Sequence, residues 1–348
     1  MDYEEFEYIY CGQYIQVQKS ADQKHLVFKC YKNDKRTYEI AEKYKDMSPE
    51  EFDKICDPHY SKMKALKHKR EFIINEFKSL KPTDFKDMPQ EQKFKYLDAL
   101  AYDNRRTKEW EQDFSGADDN IQACLFSIKA DKSFWVEEYA KVNLFISALI
   151  GVGLADNIKN ANKRTSEQKK EDIYKFIDLF CKVYDTPRPE VVFRNPALHQ
   201  AYCETSSEGK SIRLADDLIN KEMQWHYYDV IFHEMIHVYQ HTLFDKDPEK
   251  NKMFSPWYNR LKFGTWCTAQ GSIDEKYKIA DKIYELLPIE AHAYSMGATF
   301  GTFFSERILG RNAYHPAGLA YRNIYFGWTM PSYYEAKTLS SWHDYQGR

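Results

Sequence analysis

Several features that mark membrane, secreted or nucleic-acid-binding chains are missing from these 348 residues. The longest apolar stretch, residues 142–155, is shorter than the roughly 20 residues that a membrane-spanning helix needs. The chain has 50 Lys and Arg against 53 Asp and Glu, which argues against a strongly basic nucleic-acid surface. The acidic N-terminus is unlike a signal peptide. We therefore expect a cytoplasmic protein with no membrane span and no nucleic-acid partner, although export by a non-classical route stays open.

Paired cysteines are also missing. The seven cysteines are odd in number, widely scattered and form no CxxC motif, which favours reduced thiols over a disulfide framework or a cysteine-based zinc site. Aromatic residues, in contrast, reach 16% and hydrophobic residues 43%. This composition indicates an ordered globular chain that can bury a sizeable core.

The first half of the chain changes from a strand pattern to a helix pattern. Aromatic and β-branched residues predict four short strands in an antiparallel meander, at 8–10, 14–17, 26–31 and 37–40. From Ser48 onward, capping residues and apolar spacing predict helices at 48–80, 89–113, 118–155 and 165–184. The polar segment 160–166 is the best candidate linker. We therefore predict two domains, 1–160 and 161–348.

The second half predicts a small sheet followed by long helices. Strands are expected at 190–193, 201–205 and 211–214, the last two as a hairpin. Helices are expected at 217–242, at 273–287 and from Pro288 to about residue 309. The predicted fold class is α+β and mostly helical, with an N-terminal meander and a C-terminal domain that carries a short antiparallel sheet.

One motif carries chemistry. Residues 233–237 read HEMIH, an HExxH pattern on a predicted helix. Because residues four apart lie on one helix face, the His233 and His237 imidazoles can reach one tetrahedral metal ion. Glu234 projects beside that ion and can accept a proton from its water. The flanking residues are apolar, so the helix is predicted to be central and buried.

A catalytic metal site of this kind needs a third protein ligand. His241 continues the stripe, but the outer residues of three turns lie about 12 Å apart on a straight helix, and no glycine turns the chain back. Glu290 is the better candidate, because Pro288 suits the first turn of a new helix and small residues follow at 293, 297 and 301. His292, His199 and His226 are weaker rivals.

The HEMIH motif, followed by a Pro-x-Glu-x-x-Ala helix, resembles the gluzincin branch of the zincin metallopeptidases over about residues 190–305. The resemblance implies one zinc ion per chain, held by His233, His237 and Glu290, with Glu234 as general base and acid. It also implies a peptide or protein substrate that pairs with an edge strand, for which the strand from Ser211 to Leu214 is the candidate.

The chain departs from that branch at one position, and the departure leaves the outer partner of a ligand histidine open. Many gluzincins carry an aspartate four residues after the glutamate ligand, where this chain has Tyr294. Asp229 is a substitute candidate.

A zinc-dependent metallopeptidase is the leading hypothesis. Two alternatives stay open: a zincin-fold binding or regulatory protein without turnover, and an interaction protein with an accidental motif. The intact Glu234 argues against a purely structural metal site, which has no use for a general base.

Overall fold

In the computed structural model, the described residues form two compact units, one within 1–80 and 113–117 and the other within 81–101 and 118–310. The fold is α+β and mostly helical, as predicted. Within the described residues, no helix has both the length and the apolar character that crossing a membrane requires. The structure describes residues 1–10, 14–31, 35–101, 113–128, 130, 132–194, 203–206, 209–216, 219, 225 and 227–310.

The first unit is a small helical body with one hairpin. Its core holds buried apolar side chains from every element, including Phe6, Ile15, Leu26, Ile40 and Phe52. Ser48 caps the long third helix through a capping box with Glu51, as the sequence indicated. The elements are α1 (Tyr3–Tyr10), β1 (Ile15–Lys19), β2 (Leu26–Cys30), α2 (Lys35–Tyr44) and α3 (Pro49–Ser79).

The predicted four-stranded meander is wrong at both ends. Only β1 and β2 pair, antiparallel, with Ile15 opposite Cys30. Residues 8–10 and 37–40 are helical. Residues 37–40 are helical because the buried side chains of α2, Thr37, Ile40 and Tyr44, are spaced at intervals of three and four residues. This spacing is the periodicity of a helix. Tertiary burial overrides the strand propensity of these short aromatic segments.

The second unit contains the remaining helices and a three-stranded sheet. Helices α8 and α12 begin close to the residues that the sequence predicted. The elements are α4 (Gln90–Ala101), α5 (Asp118–Phe126), α6 (Lys132–Gly151), α7 (Leu154–Lys159), α8 (Ser166–Tyr184), β3 (Glu190–Arg194), β4 (Cys203–Thr205), β5 (Ser211–Ala215), α9 (Tyr227–Lys246), α10 (Asn259–Thr268), α11 (Ile273–Leu286) and α12 (Pro288–Phe304), followed by a π-helical turn, Ser305–Leu309.

The sheet of the second unit corrects the predicted edge strand. Its order is β3-β5-β4, with β5 parallel to β3 and antiparallel to β4. The strand from Ser211 to Leu214 therefore lies in the centre, and its backbone hydrogen-bonding groups on both sides are occupied. The β4–β5 pair was predicted correctly as antiparallel. Among the residues that the structure describes, β3 and β4 are the outer strands.

The compact units do not divide at residue 160, where the sequence indicated a linker. Helices α6 and α7 carry the apolar stretch 142–155. Within the second unit, α6 packs against α8 and α12, and α7 packs against α8. Ala161 is buried, and Thr165 caps α8. The stretch is helical, as predicted, but only one face of it is buried, including Val142, Phe145 and Leu149, while Leu144, Ile150 and Val152 are exposed. The buried face joins both sides of the expected linker.

Aromatic packing fixes the central helix α9. Phe232 stacks on Phe300 of α12 at a centroid distance of 4.7 Å, and it contacts Phe145 of α6 at 5.4 Å and Phe180 of α8 at 5.3 Å. All four rings are fully buried. Because Phe232 directly precedes His233, this cluster positions the motif.

Candidate metal centre

The two histidines of the motif lie on one face of α9. His233 and His237 have ring centroids 4.8 Å apart, and their Nε2 atoms are separated by 3.2 Å. The middle of the helix is embedded, with Ile231, Met235 and Ile236 fully buried. The structure therefore confirms a central helix with a buried apolar face, from which two imidazoles are aimed at one point.

Glu290 completes the cluster from the first turn of α12, which begins at Pro288. Its Oε2 atom lies 3.7 Å from the His233 Nε2 atom and 3.5 Å from the His237 Nε2 atom. One potential ligand atom from each of the three side chains falls within 4.8 Å of the others. The structure thus brings together the three residues that the sequence singled out as metal ligands.

Close contact between α9 and α12 makes this convergence possible. A Cβ atom added at Gly297 would lie 3.3 Å from the Asp229 backbone oxygen and 3.5 Å from the His233 Cβ atom. At Gly301 it would lie 3.5 Å from the Asp229 Oδ2 atom. Small residues at these positions let the two backbones approach, as the sequence indicated. Tyr294 covers the pair from α12, with its ring centroid 4.5 Å from that of His233.

Glu234 is held by the outer strand β4. The Thr205 hydroxyl lies 2.8 Å from the Glu234 Oε2 atom and 2.9 Å from the Glu234 backbone oxygen. The other carboxylate oxygen, Oε1, lies 4.0 Å from the His233 Nε2 atom. The glutamate is therefore oriented with one oxygen anchored and the other near the cluster.

Burial and mutual charge divide the acid–base properties of the four groups. Burial lowers the pKa of His233 to about 3. The pKa of His237 rises to about 9, because the Glu290 carboxylate outweighs the opposing effect of burial. The pKa of Glu290 is lowered, since both imidazoles offset its burial. The pKa of Glu234 is raised by burial. A strong clustering of perturbed pKa values is typical of functional sites.

Each of the three clustered side chains has an outer neighbour that the sequence did not reveal. The Ala293 backbone lies beside the His233 ring and partly offsets the lowering of its pKa by burial. The His237 Nδ1 atom lies 2.8 Å from the Gln240 Oε1 atom. Tyr284 of α11 lies beside Glu290, and burial together with this carboxylate raises the pKa of the tyrosine. Outer partners of this kind fix the orientation of metal ligands.

The rival histidines lie elsewhere or outside the described residues. His241 packs under Gly209, whose added Cβ would lie 2.7 Å from the His241 Cβ atom. His292 is fully buried and bonds to Gln240 and Glu138, so it is connected to the cluster without joining it. His199 and His226 fall outside the described residues.

Asp229 was the substitute considered for the outer partner of a ligand histidine. Its Oδ1 atom accepts from the Val230 backbone N–H, and burial raises its pKa to about 7. The role of Asp229 as the outer partner of a ligand histidine stays a prediction.

Comparison with known proteins agrees with this geometry. Residues 167–271 match the model of the SprT-like family, a zinc-metallopeptidase-like family with an HExxH motif. The matched segment runs from α8 through the sheet and α9, which defines a zincin-like class for this part of the chain. Glu290 lies beyond the matched residues, and membership of the gluzincin branch stays a prediction. Comparisons with the curated proteins and with the solved structures found no match.

Proposed function

We propose that the chain is a zinc-dependent metallopeptidase that hydrolyses peptide bonds. His233, His237 and Glu290 would hold one zinc ion per chain, and Glu234 would act as general base and acid. The observation that carries the proposal is the convergence of the buried Glu290 Oε2 atom with two imidazole nitrogens at 3.5 and 3.7 Å. A buried carboxylate needs a cation beside it. His237, whose pKa is raised to about 9, supplies that cation in the metal-free protein, and zinc would take its place when bound.

The donor set fits zinc. Two imidazoles and one carboxylate are a ligand combination of catalytic zinc sites, where three protein ligands leave a fourth position for water or substrate. His237 is prepared for this role, because its Nδ1 atom is engaged by Gln240 while its Nε2 atom faces Glu290. When bound, zinc supplies Lewis acidity that polarises a peptide carbonyl and eases the deprotonation of water.

Glu234 is the residue that would move the proton. The Thr205 hydroxyl anchors the Oε2 atom at 2.8 Å, so Oε1 remains oriented toward the cluster. In the proposed reaction, Glu234 accepts a proton from the attacking water at Oε1 and delivers it to the departing amine. Burial raises the pKa of Glu234, which brings its proton affinity closer to neutral pH and favours both transfers.

The substrate would be a peptide or protein in extended form. Thr205 belongs to β4, an outer strand of the described sheet, and its hydroxyl bonds to Glu234. A peptide that bound alongside β4 by backbone hydrogen bonds would pass close to the general base. Since β5 is paired on both sides, it offers no free edge for this interaction.

Elemental analysis of the purified full chain tests the metal site. We expect about one zinc per chain in the wild type and in Glu234→Gln, and little zinc in His237→Ala and Glu290→Ala. Thr299→Val is a matched control, because Thr299 is buried on the same helix and donates only to the Ser295 carbonyl. Zinc retained in both ligand variants would overturn the assignment of the site.

Cleavage of a peptide library separates the peptidase from the alternative of a zincin-fold protein without turnover. The wild type should cleave with Zn²⁺, and Glu234→Gln should bind zinc without cleaving. A wild type that binds zinc at this site but cleaves nothing in the library would favour the binding or regulatory role.

A further inference from the structure

A buried chain of hydrogen bonds leads from His237 into the core. The His237 Nδ1 atom lies 2.8 Å from the Gln240 Oε1 atom. The Gln240 amide nitrogen lies 2.7 Å from the Ile289 backbone oxygen and 2.9 Å from the His292 Nδ1 atom. The His292 Nε2 atom lies 3.1 Å from the Glu138 Oε2 atom. Three helices, α6, α9 and α12, are connected by this chain.

Donor and acceptor chemistry determines which group donates in each of these hydrogen bonds. The Ile289 carbonyl can only accept, so the Gln240 side-chain nitrogen must be the atom that faces it. The second hydrogen of that nitrogen is donated to the His292 Nδ1 atom, and the His292 Nε2–H is donated to Glu138. The Gln240 oxygen then accepts from the His237 Nδ1–H. The lone pair of neutral His237 is therefore on Nε2, the atom that faces Glu290.

The reversed orientation of the Gln240 amide is energetically unfavourable. Gln240 and His292 are 0% exposed and Glu138 is 1% exposed, so water does not replace a lost partner. A reversed amide would place its oxygen against the Ile289 carbonyl and leave two acceptors facing each other. At the far end, Glu138 bonds to Lys141 at 2.8 Å and to the Tyr239 hydroxyl at 3.0 Å, which compensates its buried charge.

We propose that Gln240 is a positioning residue for the metal centre. Its amide, fixed by the Ile289 carbonyl and by the His292–Glu138 pair, accepts the His237 Nδ1–H and leaves Nε2 as the ring nitrogen that faces the cluster and can bind a metal ion. The inference rests on the proposed zinc site, and it extends that site through the core to α6. Gln240 and His292 would not contact substrate or the reacting atoms.

Two substitutions of Gln240 test whether this residue orients His237 or only stabilises the fold. Gln240→Met fills a similar volume but removes the acceptor for the His237 Nδ1–H, and we expect zinc affinity to fall about 10- to 100-fold. Gln240→Glu keeps that acceptor while losing both donated hydrogen bonds. We expect zinc affinity close to wild type for this variant, although its metal-free form should unfold at a lower temperature than the wild type because of the buried charge.

The measurements are zinc affinity, by competition with a chelating indicator, and the thermal midpoint of each metal-free variant. Thr299→Val is the matched control, which should lose stability without losing zinc affinity. Gln240→Met with wild-type zinc affinity would overturn the proposal. Gln240→Glu that binds zinc as weakly as Gln240→Met would also overturn it, since fold stability alone would then explain both losses.

A third measurement stays informative if no zinc binds and the proposed function fails. In metal-free wild-type protein with ¹⁵N-labelled histidine, the His292 ring should carry its proton on Nε2 and present Nδ1 as an acceptor. The His292→Gln spectrum identifies the signal. A proton on the His292 Nδ1 atom would mean a reversed Gln240 amide, and it would overturn the positioning role whatever the outcome of the metal experiments.

Discussion

Gly297 and Gly301 lie one turn apart on α12 and face the same part of α9, yet we expect opposite effects from one added methyl group. At Gly301 the new Cβ atom would lie 3.5 Å from Asp229 Oδ2 and 3.8 Å from Asp229 Cβ, which is ordinary van der Waals contact. At Gly297 it would lie 3.3 Å from the Asp229 backbone oxygen. A helix backbone cannot move aside as a flexible side chain can.

The magnitudes follow from two competing contributions. Replacing glycine by alanine inside a helix stabilises it by about 0.5–1 kcal/mol, and Gly301→Ala should show this gain. At Gly297 the same gain is opposed by overpacking, which costs about 1–3 kcal/mol. Gly297→Ala should therefore be about 1–3 kcal/mol less stable than Gly301→Ala. It should also bind zinc more weakly, because a shift of the α9 backbone at Asp229 away from the methyl group would also move His233, which lies one turn further along that helix.

Urea unfolding of the metal-free variants, followed by tryptophan fluorescence, measures this difference. The signal reports largely on the second unit, because four described tryptophans belong to it, at positions 135, 225, 257 and 266. Equal midpoints for the two variants, or a higher midpoint for Gly297→Ala, would refute the reasoning that α9 and α12 are in closest contact at Gly297.

Three further predictions concern the general base, a buried acid and a turn. Glu234→Gln should keep zinc and lower the peptidase rate by about 10²- to 10⁴-fold, measured as kcat with a cleaved peptide; an unchanged rate contradicts the general-base role. The pKa of Asp229 is raised by burial to about 7, so metal-free wild type should lose stability as pH rises from about 4 to 7, by up to ~4 kcal/mol. Asp229→Asn should lack this loss in urea unfolding at several pH values, and parallel pH profiles would contradict the assignment. Gly209 has a φ of 65° and touches His241, so Gly209→Ala should lower the free energy of unfolding by at least ~1 kcal/mol. Adding His241→Ala removes the ring atoms of that contact but keeps Cβ, so it should recover part of the loss, and no recovery would show that the ring does not contribute to it.

Local sequence patterns were sufficient for the helices that carry the site. Pro288 and Glu290 predicted the start of α12 and its acidic first turn, and the structure has the helix begin at Pro288. The spacing of His233 and His237 predicted a shared face, which is observed. These signals are local, because a helix start and an i, i+4 pair depend only on neighbouring residues.

Long-range pairing accounts for what the sequence did not reveal. Thr205 and Glu234 are 29 residues apart, and Glu138 and His292 are 154 residues apart. Neither pair has a local sequence signature, because threonine, glutamate and histidine are common on protein surfaces without such partners. The sheet order was missed for a similar reason. A hairpin pattern identifies β4 and β5, but only tertiary packing places β3 on the other side of β5.

The hydrogen-bonded chain between Glu138 and His237 also determines when the centre can be completed during synthesis. His292 follows Gln240 by 52 residues, so at about 5–20 residues per second it leaves the ribosome roughly 3–10 s after the motif helix. Until α12 has emerged and docked, the two imidazoles lack both Glu290 and the lock on the Gln240 amide. A nascent chain therefore carries the motif well before it carries the complete cluster of His233, His237 and Glu290, which would delay the proposed zinc binding until α12 has docked.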